Sequence, residues 1–264
     1  MSQSHPIFNP AFSGFIGSLT DINDEEIAQQ ERTSLMQKMD EFMSIASHEL
    51  KTPITSLKGY LQIAERLSEQ HKEMATVHSF VAKANRQINK LTSLVGDLLD
   101  VTKINAGKMI LNCSWFFMSD AIDESLEQIQ QHAVPNPVIV EDHCTNIPVF
   151  ADKNRLEQVL VNLLSNAIKY SPATGKVILT CSANENVVKV EVKDFGMGIA
   201  KDKIPFIFDR FFRVRETAQT QSGLGLGLYI TAEIVKRHQG EIGVISEEGK
   251  GSTFWFTLPL TIKT

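Results

Sequence analysis

The chain has 264 residues, of which 42% are hydrophobic and 22% are charged, and its formal net charge is -5. This length predicts about two domains, and the acidic balance disfavours a protein whose main partner is nucleic acid. The three cysteines, Cys113, Cys144 and Cys181, lack metal-ligand spacing, so we interpret them as ordinary buried thiols of a reducing compartment. No stretch approaches the roughly 18 to 20 apolar residues of a membrane helix, and none has the pattern of a signal peptide. We therefore expect no membrane segment in this chain and a cytoplasmic location.

Residues 1–23 form a short segment of their own. Within it, "GFIGSLTDI" is rich in β-forming residues, and "DINDEE" supplies N-cap residues and first-turn acids for a following helix. A single strand cannot bury itself. We interpret this segment as the end of a domain whose body lies outside the chain.

Two long helices are predicted over residues 24–106, which we take as one domain. Their apolar residues recur at spacings of three and four, the pattern of a left-handed helical bundle. This seam comprises Leu35, Met39, Phe42, Ala46, Ile54, Leu57, Leu61 and Ala64, then Val77, Val81, Ala84, Ile88, Leu91, Val95 and Leu98. A hairpin of two helices has too little mass to cover such a seam. We expect a homodimer in which two hairpins form a four-helix bundle.

Residues 107–264 have a different texture, in which strands alternate with helices and two adjacent strands end the chain. This order predicts an α/β sandwich, with one sheet covered by helices on one face. The expected fold class is therefore α+β. The predicted strands are "KMILNCSWFFM", "PVIVED", "IPVFAD", "GKVILTCSA", "VVKVEVKDF", "EIGVISEEG" and "GSTFWFTLPL", and the predicted helices are "SDAIDESLEQIQQHA", "KNRLEQVLVNLLSNAIKY" and "GLYITAEIVKRHQ".

One predicted helix of this domain carries the carboxamides of "NLLSNAIKY". Asn162 and Asn166 are four residues apart and lie on one helix face, between apolar neighbours. Buried carboxamides need partners, and a hydrated Mg²⁺ with phosphate oxygens would supply them. Lys169 and Tyr170 follow at the helix end, where a cation and a phenol could meet a nucleotide.

Glycine-rich stretches surround this helix in the sequence. "DFGMG" places Asp194 at the end of an apolar strand, followed by Gly196 and Gly198, where a carboxylate can accept from an exocyclic amine. "SGLGLGLYI" exposes backbone N–H groups ahead of a helix, as phosphate sites do; its residues are Gly223, Leu224, Gly225, Leu226 and Gly227. "GKGSTF", which includes Thr253, is a glycine turn into the last strand.

The segment "IPFIFDRFFRV" lies between the first two glycine stretches and leaves two interpretations open. Its phenylalanines fit a core helix. Alternatively it is a lid whose aromatic residues dock and whose Arg210 or Arg213 reaches phosphate.

Taken in order, these five stretches resemble the N-box, the three glycine boxes and the F-box of the ATP-binding domain of sensor histidine kinases, the Bergerat fold of the GHKL superfamily. The resemblance implies ATP and Mg²⁺ as cofactors. It implies that Asn166 and Asn162 bind Mg²⁺, that Asp194 contacts the adenine amine, and that Lys169, Tyr170 and the second glycine box surround the phosphates.

"SHELKTP" resembles the phosphoacceptor box of the same kinases. The resemblance implies that His48 is phosphorylated from ATP and passes the phosphoryl group to an aspartate of a response regulator receiver domain. Glu49 can take or hold the imidazole proton, and the resemblance implies that Thr52 supports the reverse, phosphatase activity. Pro53 deletes the N–H that would bond to the carbonyl of Glu49, and we interpret it as a hinge beside His48.

Other readings remain. "SGFIGSLTDIND" resembles the end of a PAS sensor domain, which gives residues 1–23 an origin. A pseudokinase or scaffold that binds ATP without transfer, or another GHKL ATPase, would share the ATP site. A GHKL ATPase of another kind usually carries a catalytic glutamate in the N-box helix. This chain has Glu157 near the start of that helix.

Overall fold

The computed structural model describes residues 4–9, 12–17, 23–69, 74–130, 137–172, 175–213 and 224–260. Side chains are described at Thr33 and from Ser44 onward within these ranges, apart from Ile45, His48, Glu69, Ala75, Asp142 and His143. Among the described helices, none is long and apolar enough to cross a membrane. The chain divides into two compact units, Met1–Ser47 and His48–Thr264.

The first unit begins with two strands, β1 (Ser4–Asn9) and β2 (Phe12–Gly17), which pair antiparallel. The sequence predicted one β-forming segment here, and β1 was missed because its proline-containing sequence carries little strand signal. The pairing satisfies the backbone groups that a lone strand would leave open.

Two helices form the predicted hairpin, α1 (Asn23–Glu69) and α2 (Met74–Asn105). Their bounds agree with the predicted helices to within a few residues. Pro53 lies inside α1 and is buried, and the helix continues through it. The rings of Tyr60 and Phe80 meet with centroids 6.3 Å apart, which fixes the level at which the helices pass each other.

Only part of the predicted seam is buried within one chain. Ala64 and Ala84 are buried, together with Leu94, which lies outside the predicted seam. A stripe of larger seam residues remains between 40% and 50% exposed: Ile54, Leu61, Val81, Ile88 and Val95. Their spacing of seven residues keeps the stripe on one face of each helix. Such an apolar stripe is typical of an interface between copies.

The remainder of the second unit is the expected α/β sandwich, so the predicted fold class is confirmed. Its main sheet has five strands in the order β4-β6-β7-β9-β8, with β4 and β6 parallel and the other pairs antiparallel. The strands are β4 (Val138–His143), β6 (Val177–Ala183), β7 (Val187–Lys193), β8 (Ile242–Glu247) and β9 (Gly251–Pro259). The helices are α3 (Met118–Gln130), α4 (Lys153–Tyr170) and α5 (Gly227–Arg237). Alternate residues of β7 and β9 are buried, as expected of a sheet with one covered face.

Two local structures differ from the expectation. The long strand predicted before α3 is only β3 (Ser114–Phe117), which pairs antiparallel with β5 (Pro148–Ala151) in a separate two-stranded sheet. The aromatic segment after β7 contains a single 3-10 turn, Ile204–Phe206, rather than a core helix.

The N-terminus of α4 is fixed by a buried cluster. The carboxylate of Asp152 accepts from the backbone N–H of Arg155 and of Asn112, the first of which caps the helix. The backbone N–H of Asp152 donates to Nε2 of His238, whose Nδ1 bonds to the carbonyl of Ile234 at the end of α5. Burial lowers the pKa of His238. The neutral ring therefore ties α4 to α5.

The interpretation of all three cysteines as thiols was wrong for two of them. Cys144 and Cys181 form a disulfide that joins the end of β4 to β6, and Cys113 is free. Their separation of 37 residues carries no spacing signal, and only the pairing of β4 with β6 brings them together.

Candidate functional site

One cavity of about 430 Å³ collects most of the predicted site residues. It lies where α2 meets α4, the glycine-rich loops and the ends of β7 and β9. From α4 and the loop after β7 its lining includes Asn162, Asn166, Lys169, Tyr170, Asp194 and Gly198. From the second glycine stretch and the preceding segment it includes Arg213, Leu224, Gly225, Leu226 and Gly227.

Asp194 is a buried acceptor at the end of β7. Its Oδ1 accepts from the backbone N–H of Gly196 at 2.9 Å and of Ser252 at 3.2 Å. Burial raises the pKa of the carboxyl, and these two hydrogen bonds partly offset that rise. The carboxyl is thus held rigidly against the cavity, as recognition of a donor requires.

Gly198 shows why the first glycine box needs glycine. Its φ is +67°, and a Cβ there would lie 2.0 Å from the carbonyl oxygen of Glu247. Any side chain would therefore push the loop away from the turn between β8 and β9. The loop that follows Asp194 can pass under the cavity only without a side chain at this point.

The carboxamides of α4 are oriented by a residue that the sequence reasoning missed. Nδ2 of Asn162 donates to Oγ1 of the buried Thr231 on α5 at 2.8 Å, and Nδ2 of Asn166 lies 3.5 Å from Oδ1 of Asn162. Gly227 permits this arrangement, because a Cβ there would lie 2.5 Å from Oδ1 of Asn162. The chain Thr231–Asn162–Asn166 therefore presents two carboxamides to the cavity.

Charged side chains gather around Lys169. Burial lowers the pKa of its ammonium, the nearby Arg213 and Lys90 lower it further, and Glu49 opposes them. Two of these groups, Lys90 and Glu49, belong to the helical hairpin. The cations favour an anionic ligand in this part of the cavity.

Helix α2 supplies four further lining residues, Lys90, Ser93, Leu94 and Asp97. No sequence motif identifies them, because their role depends on how the hairpin lies against the sandwich. The pKa of Asp97 is raised to about 6, mainly by burial and also by Asp100. Regular heptad spacing on α2 identified the seam but not this second, polar face.

Other predicted residues lie elsewhere. Arg210 does not line the cavity, since its Nη1 donates to Oδ1 of Asn105 at 2.7 Å and its guanidinium lies over the ring of Tyr229. Thr253 is paired within the sheet, between Lys193 and Ile245, and is not part of the lining. Of the two arginines named in the sequence, the structure therefore brings only Arg213 to the cavity.

The other five predicted residues lie beside the cavity, on α1 or outside the described residues. Gly196 is buried beside the cavity, where a Cβ would lie 2.2 Å from the carbonyl oxygen of Tyr170. Thr52 is exposed on α1, and Glu49 is half-buried. Gly223 and the side chain of His48 lie outside the described residues.

Two family models match the chain in tandem. Residues 38–107 match the His Kinase A (phospho-acceptor) domain, and residues 151–262 match the Histidine kinase-, DNA gyrase B-, and HSP90-like ATPase. The second model alone would leave several ATPase families open, and the first decides between them. The chain belongs to the sensor histidine kinases. All residues that line the cavity, apart from the four on α2, lie within the matched ATPase domain, and we call it the ATP cavity.

Known proteins are similar to this kinase along most of its length. The sensor histidine kinase WalK of Bacillus subtilis is 35% identical over 259 residues, which cover 93% of this chain and 39% of that protein. The drug sensory protein A of Synechocystis is 33% identical, over 93% of this chain and 37% of that protein. The kinase therefore spans about two fifths of the length of these relatives.

Solved structures agree. Full-length ShkA in complex with AMPPNP matches with a TM-score of 0.59 and 28% identity, over 83% of this chain and 45% of that one. Histidine kinase ThkA in complex with the response regulator protein TrrA matches with a TM-score of 0.55 and 25% identity, over 98% of this chain and 75% of that one.

Glu157 lines a second cavity of about 490 Å³ with Arg155, Gln158 and residues of α2, and it is not among the residues that line the ATP cavity. The two cavities adjoin and share Asn162 and Gly227. Burial raises the pKa of Glu157, and a hydrogen bond with Glu124 raises it further.

Proposed function

We propose that the kinase transfers the γ-phosphoryl group of ATP to His48 and then to an aspartate of a response regulator receiver domain. The observation that supports this most directly is the composition of the ATP cavity. Its walls combine the ATPase-type residues Asn166 and Asp194 with Lys90 of the hairpin, and Glu49 of the phosphoacceptor box acts on its Lys169.

Adenine recognition would fall to Asp194. An exocyclic amine is a donor, and the buried carboxylate offers an acceptor whose position is fixed by Gly196 and Ser252. Lys169, Tyr170, Arg213 and the backbone of Leu224–Gly227 would contact the phosphates. Glycines ahead of α5 fit that use, because they leave N–H groups accessible at a helix N-terminus.

Mg²⁺ fits the oxygen ligands of this site. Asn166 and Asn162 would hold the ion, directly or through its water molecules, with Thr231 fixing the orientation of Asn162. When bound, Mg²⁺ neutralises the charge of the β- and γ-phosphates. Because Gly227 has no side chain, Oδ1 of Asn162 stays accessible from this side of the cavity.

The reaction at His48 needs a neutral imidazole. One ring nitrogen attacks the γ-phosphorus, forming a P–N bond, while the bond from that phosphorus to the bridging oxygen breaks and its electron pair leaves with ADP. The proton on the other ring nitrogen passes to Glu49, which makes Glu49 the general base. Thr52, exposed one turn along α1, would orient water for dephosphorylation of the regulator.

The assembly follows from the hairpin. We propose a homodimer through the exposed stripe of α1 and α2, and a cytoplasmic site of action where ATP and a receiver domain are both accessible. The regulator is proposed by analogy with ThkA, which was solved with its regulator TrrA. We propose that residues 24–106 and 107–264 are the two functional domains and that residues 1–23 are the end of a PAS-like sensor domain.

One labelling experiment tests the function. The chain is incubated with γ-labelled ATP and Mg²⁺, and the label is tested for the acid lability and base stability of phosphohistidine. We expect labelling that is absent in His48→Ala and strongly reduced in Asn166→Ala, with nucleotide binding retained by His48→Ala. Label that persists in His48→Ala would refute the assignment, and ATP binding without any label would indicate the pseudokinase alternative.

A further inference from the structure

Lys90 of α2 is a cation of the ATP cavity that lies outside the ATPase domain. Residues 38–107 match the phosphoacceptor domain and residues 151–262 match the ATPase domain, and Lys90 belongs to the first of these. Its side chain nevertheless lines the ATP cavity, with three neighbours on the same helix that carry no positive charge. The hairpin that carries the proposed acceptor His48 therefore also supplies a cation to the nucleotide site.

The position of Lys90 along the cavity follows from the contacts at the cavity's far end. There Asp100 on α2 accepts from Arg155 at 2.7 Å and from Gln158 at 2.9 Å, near the start of α4. Lys90 lies ten residues before Asp100, and Lys169 lies eleven residues after Gln158. Both steps measure about 15 to 17 Å, because an α-helix rises about 1.5 Å per residue. The charge of Lys90 acts on Lys169, so α2 and α4 run in opposite directions along the cavity and Lys90 lies beside the last turn of α4.

This end of the cavity suits the phosphates of ATP. Asn166, which we propose as a ligand of Mg²⁺, lies three residues before Lys169 on α4. The charge of Arg213 acts on Lys169 as well, and Arg213 also lines the cavity. Lys90, Lys169 and Arg213 thus form a group of three cations beside a metal ligand. Such a group favours the terminal phosphates of a nucleotide that is bound with Mg²⁺.

Lys90 has no counter-ion in the described part of the chain. Lys90 is half-buried, and within the described ranges its ammonium takes part in no salt bridge and no hydrogen bond. The next acid along α2 is Asp97, seven residues on, or about 10 Å along the helix axis. An ammonium has three donors and no acceptor. A phosphate that enters the cavity would supply the anion that Lys90 lacks.

We propose that Lys90 is a catalytic residue of the transfer, whose ammonium contacts the γ-phosphoryl group as it passes from ATP to His48. This inference rests on the proposed function, because the γ-phosphoryl group faces the hairpin only if the acceptor is on the hairpin. The bond from phosphorus to the nitrogen of His48 forms, the bond to the bridging oxygen breaks, and its electron pair leaves with ADP. Lys90 keeps its proton throughout and supplies positive charge to the phosphoryl oxygens. An arginine finger brought by another protein has this task in GTPases.

Substitution of Lys90 by methionine tests the proposal, because methionine keeps an unbranched stem and removes the charge. The single-turnover rate of His48 labelling at saturating ATP should fall at least about thirtyfold, since removal of one donor that stabilises a transition state costs on the order of a hundredfold or more. The Kd for a fluorescent ATP analogue should change less than about threefold, because Lys169, Arg213 and Mg²⁺ still hold the phosphates. Lys103→Met, at an exposed position of α2 that lines neither cavity, should change neither quantity.

Two further measurements separate catalysis from a structural role. Lys90→Arg keeps the charge and should restore the rate to within about fivefold of wild type. The nucleotide-free Lys90→Met chain should have the Tm of wild type or a higher one, because the substitution removes a cation that lies near Lys169 and has no anionic partner in the described part of the chain. Equal rate losses in the methionine and arginine variants would overturn the proposal. So would a loss of rate that is accompanied by a lower Tm in Lys90→Met.

Failure of the underlying function has a different signature. If His48 is not the acceptor, the wild-type chain itself shows no label that depends on His48, and the role of Lys90 fails with it. If the wild-type chain is labelled at His48 and Lys90→Met is labelled within about threefold of the wild-type rate, the proposed function stands. The role of Lys90 alone is then wrong.

Discussion

At the scale of single residues, the ATP cavity contains two buried or half-buried carboxyl groups with different tasks. Asp194 lies at the end of a strand with two backbone N–H partners. Asp97 lies on α2, and its pKa is raised to about 6 by burial and by Asp100. Burial raises the pKa of both; at Asp194 the two hydrogen bonds, which favour the ionised form, partly offset the rise, whereas at Asp97 the charge of Asp100 adds to it.

Substitution of Asp194 by asparagine should weaken ATP binding by at least about tenfold, or about 1.4 kcal/mol. The amide can keep one acceptor for the backbone N–H groups, but its NH₂ group replaces the acceptor that would meet the adenine amine. Titration with a fluorescent ATP analogue measures the change, and Asp202→Asn, at an exposed position, serves as the matched control. Unchanged affinity in Asp194→Asn would remove Asp194 from adenine recognition.

Asp97 predicts a pH dependence of stability. A folded pKa of about 6, above the usual 3.8, means that the folded chain binds this proton more tightly than the unfolded chain. The resulting stabilisation is complete below about 3.8 and is lost as the pH rises through about 6. Asp97→Asn should therefore raise the Tm at pH 7.5, and its advantage over wild type should shrink at pH 5.

The measured quantity is the difference in Tm between Asp97→Asn and wild type at each pH, because other groups also titrate. His238 has the opposite sign: its lowered pKa makes the fold lose stability as the pH falls below about 6.5. Asp97 also has cations nearby, since Lys90, Lys169 and Arg213 line the same cavity and Arg155 lines the adjoining one. Asp209→Asn, on the exposed surface, should show no such pH-dependent difference. An equal gain at both pH values would contradict the assignment to Asp97.

Residues of the site differ in how far the sequence could predict them. Asn162, Asn166 and Asp194 could be predicted because the patterns that identify them, the asparagine spacing and the neighbouring glycines, are contiguous in the sequence. Thr231 is not, because its contact with Asn162 arises only when α5 packs on α4. Arg210 and Arg213 are three residues apart, and only the folded segment decides that Arg213 faces the cavity while Arg210 bonds with Asn105.

At the scale of elements, regular periodicity was informative and short pairings were not. The spacing of apolar residues located α1, α2 and α4 closely, since long amphipathic patterns average over many positions. The strands β1 and β3 and the bond between Cys144 and Cys181 depend on partners distant in sequence or on tight turns. No local pattern encodes them.

The exposed stripe on the hairpin should hold the dimer together. Ile88→Lys places a charge on the face formed with Val81 and Val95, where a second hairpin would bury it without a partner. We expect the variant to sediment as a monomer at concentrations where the wild-type chain is a dimer. Asn89→Lys introduces the same charge at an exposed position one residue on and should leave the dimer intact. A dimeric Ile88→Lys variant would place the interface elsewhere.

Pro53 offers a test of the hinge beside His48. Alanine restores the N–H that can bond to the carbonyl of Glu49, and removal of a proline from a helix interior relieves a cost of about 3 kcal/mol. Pro53→Ala should therefore keep or raise the Tm while the ratio of autophosphorylation to dephosphorylation of the regulator changes several-fold. Pro205→Ala, at an exposed proline of the ATPase domain, should change neither. An unaltered ratio in Pro53→Ala would mean that the helix merely tolerates the proline.

At the scale of the whole molecule, activity depends on how the ATPase domain lies on α2. The sandwich contains Asn162, Asn166 and Asp194, yet the wall formed by Lys90 and Asp97 exists only while the two parts are docked. Nucleotide binding to the sandwich and phosphoryl transfer to the hairpin are therefore separable properties. A variant that loosens the docking should affect transfer far more than binding.

Substitutions in the salt bridge between Asp100 and Arg155 should separate phosphoryl transfer from nucleotide binding. Its atoms lie 2.7 Å apart, its side chains are only 10% and 22% exposed, and Gln158 donates to the same carboxylate oxygen at 2.9 Å. Asp100→Asn and Arg155→Gln should each lower the rate of autophosphorylation about five- to tenfold, which corresponds to roughly 1 to 1.4 kcal/mol. The Kd for the fluorescent ATP analogue should change less than twofold.

The double variant Asp100→Asn/Arg155→Gln should be no slower than the worse single variant, because both substitutions break one contact. Glu247→Gln removes the exposed bridge to Lys250 and should leave both quantities unchanged. Additive losses in the double variant would show that Asp100 and Arg155 act separately, and the docking of the ATPase domain on α2 would then depend on other contacts.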